Sequence, residues 1–150
     1  MLFASSWEEA NRPSPRRKMG GGDAPLVLLV GSLRSRATFR AILEPAGYEL
    51  RDAEDADEGL RLAIKLRPAV VLVELAMPVR DGWSVCRQLK ANPDTFLIPI
   101  VATSLDRLPS GSYHRARSAG FVDSIARPVE RRHVLEVVAA WAKPVAGSSA

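Results

Sequence analysis

Glu74 is the side chain whose type and place most invite chemistry. It is a carboxylate that closes the apolar run Ala69-Val70-Val71-Leu72-Val73, at the end of a strand, where open α/β sheets carry their working loops. Other reactive residue types are scattered. His114 and His133 fall on separate helical stretches with no nearby cysteine or acid cluster, so neither reads as a metal ligand. No Ser-His-Asp or Cys-His arrangement can be assembled. Gly20-Gly21-Gly22 lacks the following lysine and helix of a phosphate loop, and Gly31 is not in a glycine-rich loop before a helix. Asp52, Glu54, Asp55, Asp57 and Glu58 gather where a helix should begin, and the helix dipole accounts for acids there without a metal. Asp81-Gly82 reads as a turn in which Asp81 caps free backbone N–H groups. No catalytic residue, metal ligand or cofactor motif stands out.

The elements that must hold Glu74 follow from apolar periodicity. Leu26-Val27-Leu28-Leu29-Val30 and the run before Glu74 are continuous apolar stretches, as parallel strands covered on both faces should be. Shorter strands are expected at 48–50, 98–103 and 121–126. Helical spacing alternates with them. Phe39, Ile42 and Leu43 predict a helix over 35–43, and Leu60, Ala63 and Ile64 one over 56–65 that Pro68 stops. Val85, Cys86 and Leu89 predict a helix over 82–91, followed by a polar helix over 110–118. After Pro128 comes a last helix carrying Val134, Leu135, Val137, Val138 and Trp141. Five strands alternating with five helices require right-handed crossovers, giving an α/β fold with a doubly wound five-stranded parallel sheet.

Length and composition agree. The chain has 150 residues, 47% of them apolar and 25% charged, enough for one buried domain. One domain is expected over 25–143, between a flexible tail at 1–24, rich in Pro, Gly and basic residues, and a second at 144–150. The single cysteine, Cys86, excludes an internal disulfide and suits a reducing, cytoplasmic compartment. No run approaches the roughly 20 apolar residues of a membrane span, and the start lacks a signal-peptide pattern. Twenty-one Lys and Arg against 17 Asp and Glu leave a charge of +4, too small and too evenly spread to identify nucleic acid as the partner.

Over residues 26–141 the chain resembles the response-regulator receiver family. The most specific stretch is Glu74-Leu75-Ala76-Met77-Pro78-Val79-Arg80-Asp81-Gly82. It resembles the family's phosphoacceptor segment, in which Asp, Leu, any residue, Met and Pro precede a turn ending in Asp-Gly. Ile98-Pro99, Ala119-Gly120 and Arg127-Pro128 support it, in order and at the family's spacing. The resemblance implies a flavodoxin-like (CheY-like) three-layer architecture, a cis bond before Pro128, and a role in two-component signalling rather than in catalysis. It also implies a working surface on the fourth helix, fifth strand and fifth helix, including Tyr113, Arg117, Ser124, Arg131 and His133. The partners implied are a histidine kinase or downstream regulator, with a homodimer as a further form.

Matched residue by residue, the phosphorylation site departs from the family pattern. Glu74 stands at the acceptor aspartate. The acidic pair that holds a divalent metal is replaced by Val30-Gly31 or by Gly31-Ser32, depending on a one-residue slip in the loop. Ser104 matches the hydroxyl switch residue, Arg127 replaces the usual lysine, and Ser124 falls where a switching aromatic is common. Magnesium favours octahedral oxygen sites with supporting carboxylates, and only one is supplied. Glutamate also moves the acceptor oxygens by roughly 1 Å, a displacement that can cost on the order of 100-fold in rate. The expectation is a receiver-like domain that works by protein–protein interaction without phosphorylation. A phosphoacceptor with an unusual site and a basic nucleic-acid adaptor are the alternatives. For Glu74 two places are open: paired with Arg127, whose guanidinium suits bidentate contact, or solvated at the strand end.

Overall fold

The computed structural model describes residues 18–19, 22–77, 81–103 and 112–142. Most of the two expected tails, together with Pro78, Val79, Arg80 and Ser104, lies outside the described residues. Within the first expected tail, Lys18–Met19 pairs antiparallel with Gly22–Asp23. The domain then runs β1 (Leu26–Val30), α1 (Leu33–Leu43), β2 (Glu49–Ala53), α2 (Ala56–Leu66), β3 (Val70–Glu74), α3 (Gly82–Ala91), β4 (Ile100–Thr103), α4 (Ser112–Ala119), β5 (Asp123–Ile125) and α5 (Arg131–Trp141). The strands form one parallel sheet in the order β2-β1-β3-β4-β5. This is the doubly wound five-stranded sheet expected from the alternation of elements.

The strand pleat divides the core in two, because successive side chains point to opposite faces. Leu28, Val30, Val71, Val73, Ile100 and Ala102 pack with Leu62, Val85, Cys86, Leu89 and Ala116, so α2, α3 and α4 cover one face. Val27, Leu29, Val70, Leu72, Val101 and Ile125 pack with Phe39, Leu43, Val134, Val137 and Val138, so α1 and α5 cover the other. Every residue of β3 is buried, and each such Val or Leu contributes about 1.5–3 kcal/mol relative to exposure. β3 is therefore the rigid member, and Glu74 is its last residue.

Local capping sets the helix ends. Ser32 caps α1 by accepting from Ser35 N, Asp55 caps α2 by accepting from Glu58 N, and Asp81 caps α3 by accepting from Ser84 N. The Arg127–Pro128 bond is cis. Among the described residues no helix is long and apolar enough to cross a membrane.

Cys86 lies in the α3 face of the core, and burial pushes its thiol up from 9.0 to about 11. The unfolded chain ionises first, so this thiol's contribution to stability is complete below pH 9 and is lost as pH rises toward 11. Urea unfolding across that range should show stability falling, with Cys86→Ala flattening the decline. An identical slope in the variant would contradict the assignment.

Candidate functional site

The pleat decides where Glu74 goes. Val70 and Leu72 face α1 and α5, so Glu74, two residues further on, turns the same way and meets the start of α1. It is only 2% exposed, and its Oε1 accepts a hydrogen bond from the backbone N–H of Ser32 at 2.7 Å. Ser32 is the N-cap of α1, so the carboxylate sits at the positive end of an eleven-residue helix. The close fit depends on Gly31. A Cβ at that position would lie 2.6 Å from Glu74 Oε1 and 2.8 Å from Glu74 Cβ.

The turn after β1 is held from behind. Arg36 Nε donates to the Gly31 carbonyl at 2.9 Å, and its Nη1 reaches Asp52 Oδ2 at 3.1 Å. Arg40 Nη2 donates to Asp52 Oδ1 at 2.7 Å. Asp52 was expected among the acids opening the second helix. It belongs instead to β2, where it ties α1 to the edge of the sheet. Asp55, Asp57 and Glu58 do lie at the helix start, as its cap and first turn.

The pair expected between Glu74 and Arg127 does not form. Among the described residues Glu74 has the Ser32 amide as its partner, and neither alternative for Glu74 holds, since it is buried rather than solvated. Arg127 is exposed and makes no ion pair with it. The reason is reach: the Ser32 amide lies against the carboxylate, whereas Arg127 opens into a cavity beside Thr103. Arg127→Met should therefore leave the urea midpoint within about 0.5 kcal/mol of the parent, as for other surface changes. A larger drop would restore the expected pair.

Of the remaining site residues, Gly31 and Ser32 lie beside Glu74, and Ser104 is outside the described residues. On the expected interaction face, Arg117, Arg131 and His133 are exposed and Ser124 is half-buried. Tyr113 belongs to α4. A shallow cavity of about 160 Å³ lies between α4 and β5, lined by Ala116, Arg117, Phe121, Val122, Asp123 and Ser124. Trp141 of α5 donates its indole N–H to Asp123 at 3.1 Å.

These residues do not fit a magnesium ion. Glu74 is the one carboxylate at the ends of β1 and β3 among the described residues, it is only 2% exposed, and one of its oxygens is engaged by an amide, whereas magnesium needs supporting carboxylates and keeps several waters. Asp52 is held by two arginines. Among the described residues no group of three or more His, Cys, Asp or Glu is placed to hold a metal.

Fold and site together define a receiver-type signalling domain, and comparison with known proteins agrees. The model of the response regulator receiver domain matches residues 32–139, so the chain belongs to that family. It is 34% identical over 106 residues to the response regulator PleD of Caulobacter vibrioides, covering 69% of this chain and 23% of that protein. The chain thus spans less than a quarter of that relative's length. It is 31% identical over 116 residues to the protein PilH of Pseudomonas aeruginosa, covering 77% of this chain and 94% of PilH. Among solved structures, the receiver domain of the sensor histidine kinase PA1611 from Pseudomonas aeruginosa superposes with a TM-score of 0.71 at 26% identity, covering 79% of this chain and 98% of that one. That domain carries a magnesium ion in its active-site cleft. Receiver domains are regulatory, and this chain carries the signalling role of that family.

Proposed function

We propose that the domain signals without aspartyl phosphorylation, through contact with another signalling protein. The observation that carries this reading is the Glu74 carboxylate, buried and engaged by the Ser32 amide where the family has its acceptor. Phosphoryl transfer depends on aligning the acceptor and neutralising charge on the transferring oxygens. A glutamate turned against a helix start, with Gly31 and Ser32 in place of an acidic pair, does neither. The same engagement gives the loop after β1 one settled form, so the partner surface is presented in one state. That surface is the α4–β5–α5 face with Tyr113, Arg117, Ser124, Arg131 and His133. Its exposed arginines suit an acidic patch on a histidine kinase, a downstream regulator or a second copy of the chain.

Incubation with a labelled small-molecule phosphodonor and magnesium tests the reading, with the PA1611 receiver domain as positive control. The expected result is label on the control and none on this chain. A stable label traced to Glu74 would overturn it.

A further inference from the structure

We propose that the cavity between α1 and the β5–α5 connection is a receptor for a phosphate group on a small soluble molecule. The cavity holds about 320 Å³ and is lined by Arg34, Ser35, Thr38, Phe39, Thr103, Arg127 and Val129. That volume matches small-molecule sites, which begin near 300 Å³. Glu74 is not part of the wall, and the site does not depend on how the domain handles phosphotransfer.

Three observations point to an anion. Among the described residues the wall carries two guanidinium groups and no carboxylate. Neither Arg34 nor Arg127 has an ion-pair or hydrogen-bond partner for its side chain among the described residues. The other arginines of α1 are spoken for, since Arg36 and Arg40 are taken up by Asp52. Helical geometry explains the split. At about 100° per residue, Arg34, Ser35, Thr38 and Phe39 share one side of α1, while Arg36 and Arg40 face away toward β2. Two hydroxyls complete the wall. Ser35 is 8% and Thr103 4% exposed, and neither side chain has a hydrogen-bond partner among the described residues. Both hydroxyls are therefore free to donate to a group that enters the cavity.

Phosphate matches this wall better than a carboxylate does. Its three terminal oxygens can take two guanidinium forks and the hydroxyl donors together. Phe39 and Val129 add an apolar side against which the body of an ester can lie.

The test uses the full chain, titrated at low salt with inorganic phosphate, adenosine monophosphate and unphosphorylated adenosine while the amide resonances are followed. The expected result is saturable movement of the Ser35, Thr103 and Val129 amides with both phosphates and none with adenosine. Tighter binding of the monophosphate would make the occupant an ester; equal binding would make it the free anion. Arg34→Met and Arg127→Met should each weaken binding by about tenfold, the loss of one charge-assisted contact. Both residues are exposed, and the amide spectrum of each variant reports its folding directly. No saturable movement up to about 10 mM, an affinity too weak to matter, would overturn the proposal. So would unchanged affinity in the double variant, or movement confined to α4 and the far side of α5. Label on Glu74 in the phosphodonor experiment would leave this result untouched.

Discussion

Gly31→Asp, which would put an acid at the end of β1, is expected to destabilise the fold by about 3 kcal/mol and to gain no stability from magnesium. The cause is first steric. The new Cβ would stand 2.6 Å from Glu74 Oε1 and 2.8 Å from Glu74 Cβ, and Glu74 cannot withdraw while β3 is paired on both sides. A second carboxylate would then face the first, which is itself only 2% exposed. Urea unfolding with and without magnesium measures both parts, and Gly31→Ala separates crowding from charge. A midpoint that rose on adding magnesium would show that one acid is all the site lacks. Gly31 and the length of Glu74 are thus one feature, and changing either alone should cost stability.

Gly82→Ala should cost about 2 kcal/mol, whereas Gly59→Ala should stay within about 1 kcal/mol of the parent. Both glycines lie in helices, where alanine would ordinarily be preferred. They differ in what a methyl group would strike. At Gly82 it would meet the backbone carbonyl of Glu74 at 2.5 Å and Leu75 Cα at 3.0 Å. That carbonyl belongs to a strand buried along its whole length and paired on both sides, and cannot give way. At Gly59 the neighbours are the Val30 methyls at 2.9–3.0 Å, which can shift by tenths of an ångström while the helix gains propensity. Equal losses from thermal or urea unfolding would refute this distinction. Gly82 also donates its N–H to the Leu75 carbonyl at 2.9 Å, so damage there loosens the segment that leads out of β3.

The fold was legible because its signals are local. Five-residue apolar runs mark β1 and β3, and stripes such as Val134, Val137 and Val138 mark the helices. Errors fell where polarity or capping misled. β2 was expected at 48–50 and runs Glu49–Ala53, because Arg51 and Asp52 are charged residues on an edge strand. α1 was expected from residue 35 and begins at Leu33, although Ser32 stood ready as an N-cap. β4 was expected from residue 98 and begins at Ile100. Ile98 closes a turn instead, with its carbonyl accepting from Lys90 Nζ. The chemistry of Glu74 was legible only in part. Its type and its place at a strand end were visible, but its partner lies 42 residues away as a backbone N–H, which no side-chain pattern announces. The two unpartnered hydroxyls at Ser35 and Thr103 likewise emerge only when α1 and β4 are brought together.

Both margins of the sheet are poor templates for a neighbour's backbone. β2 presents Glu49, Arg51 and Asp52 along one rim, and β5 ends the other after three residues. Charged or very short rims of this kind discourage strand-by-strand growth between molecules. Crowded copies are therefore steered away from fibrous stacking, and lasting contact between them is left to the helical flanks.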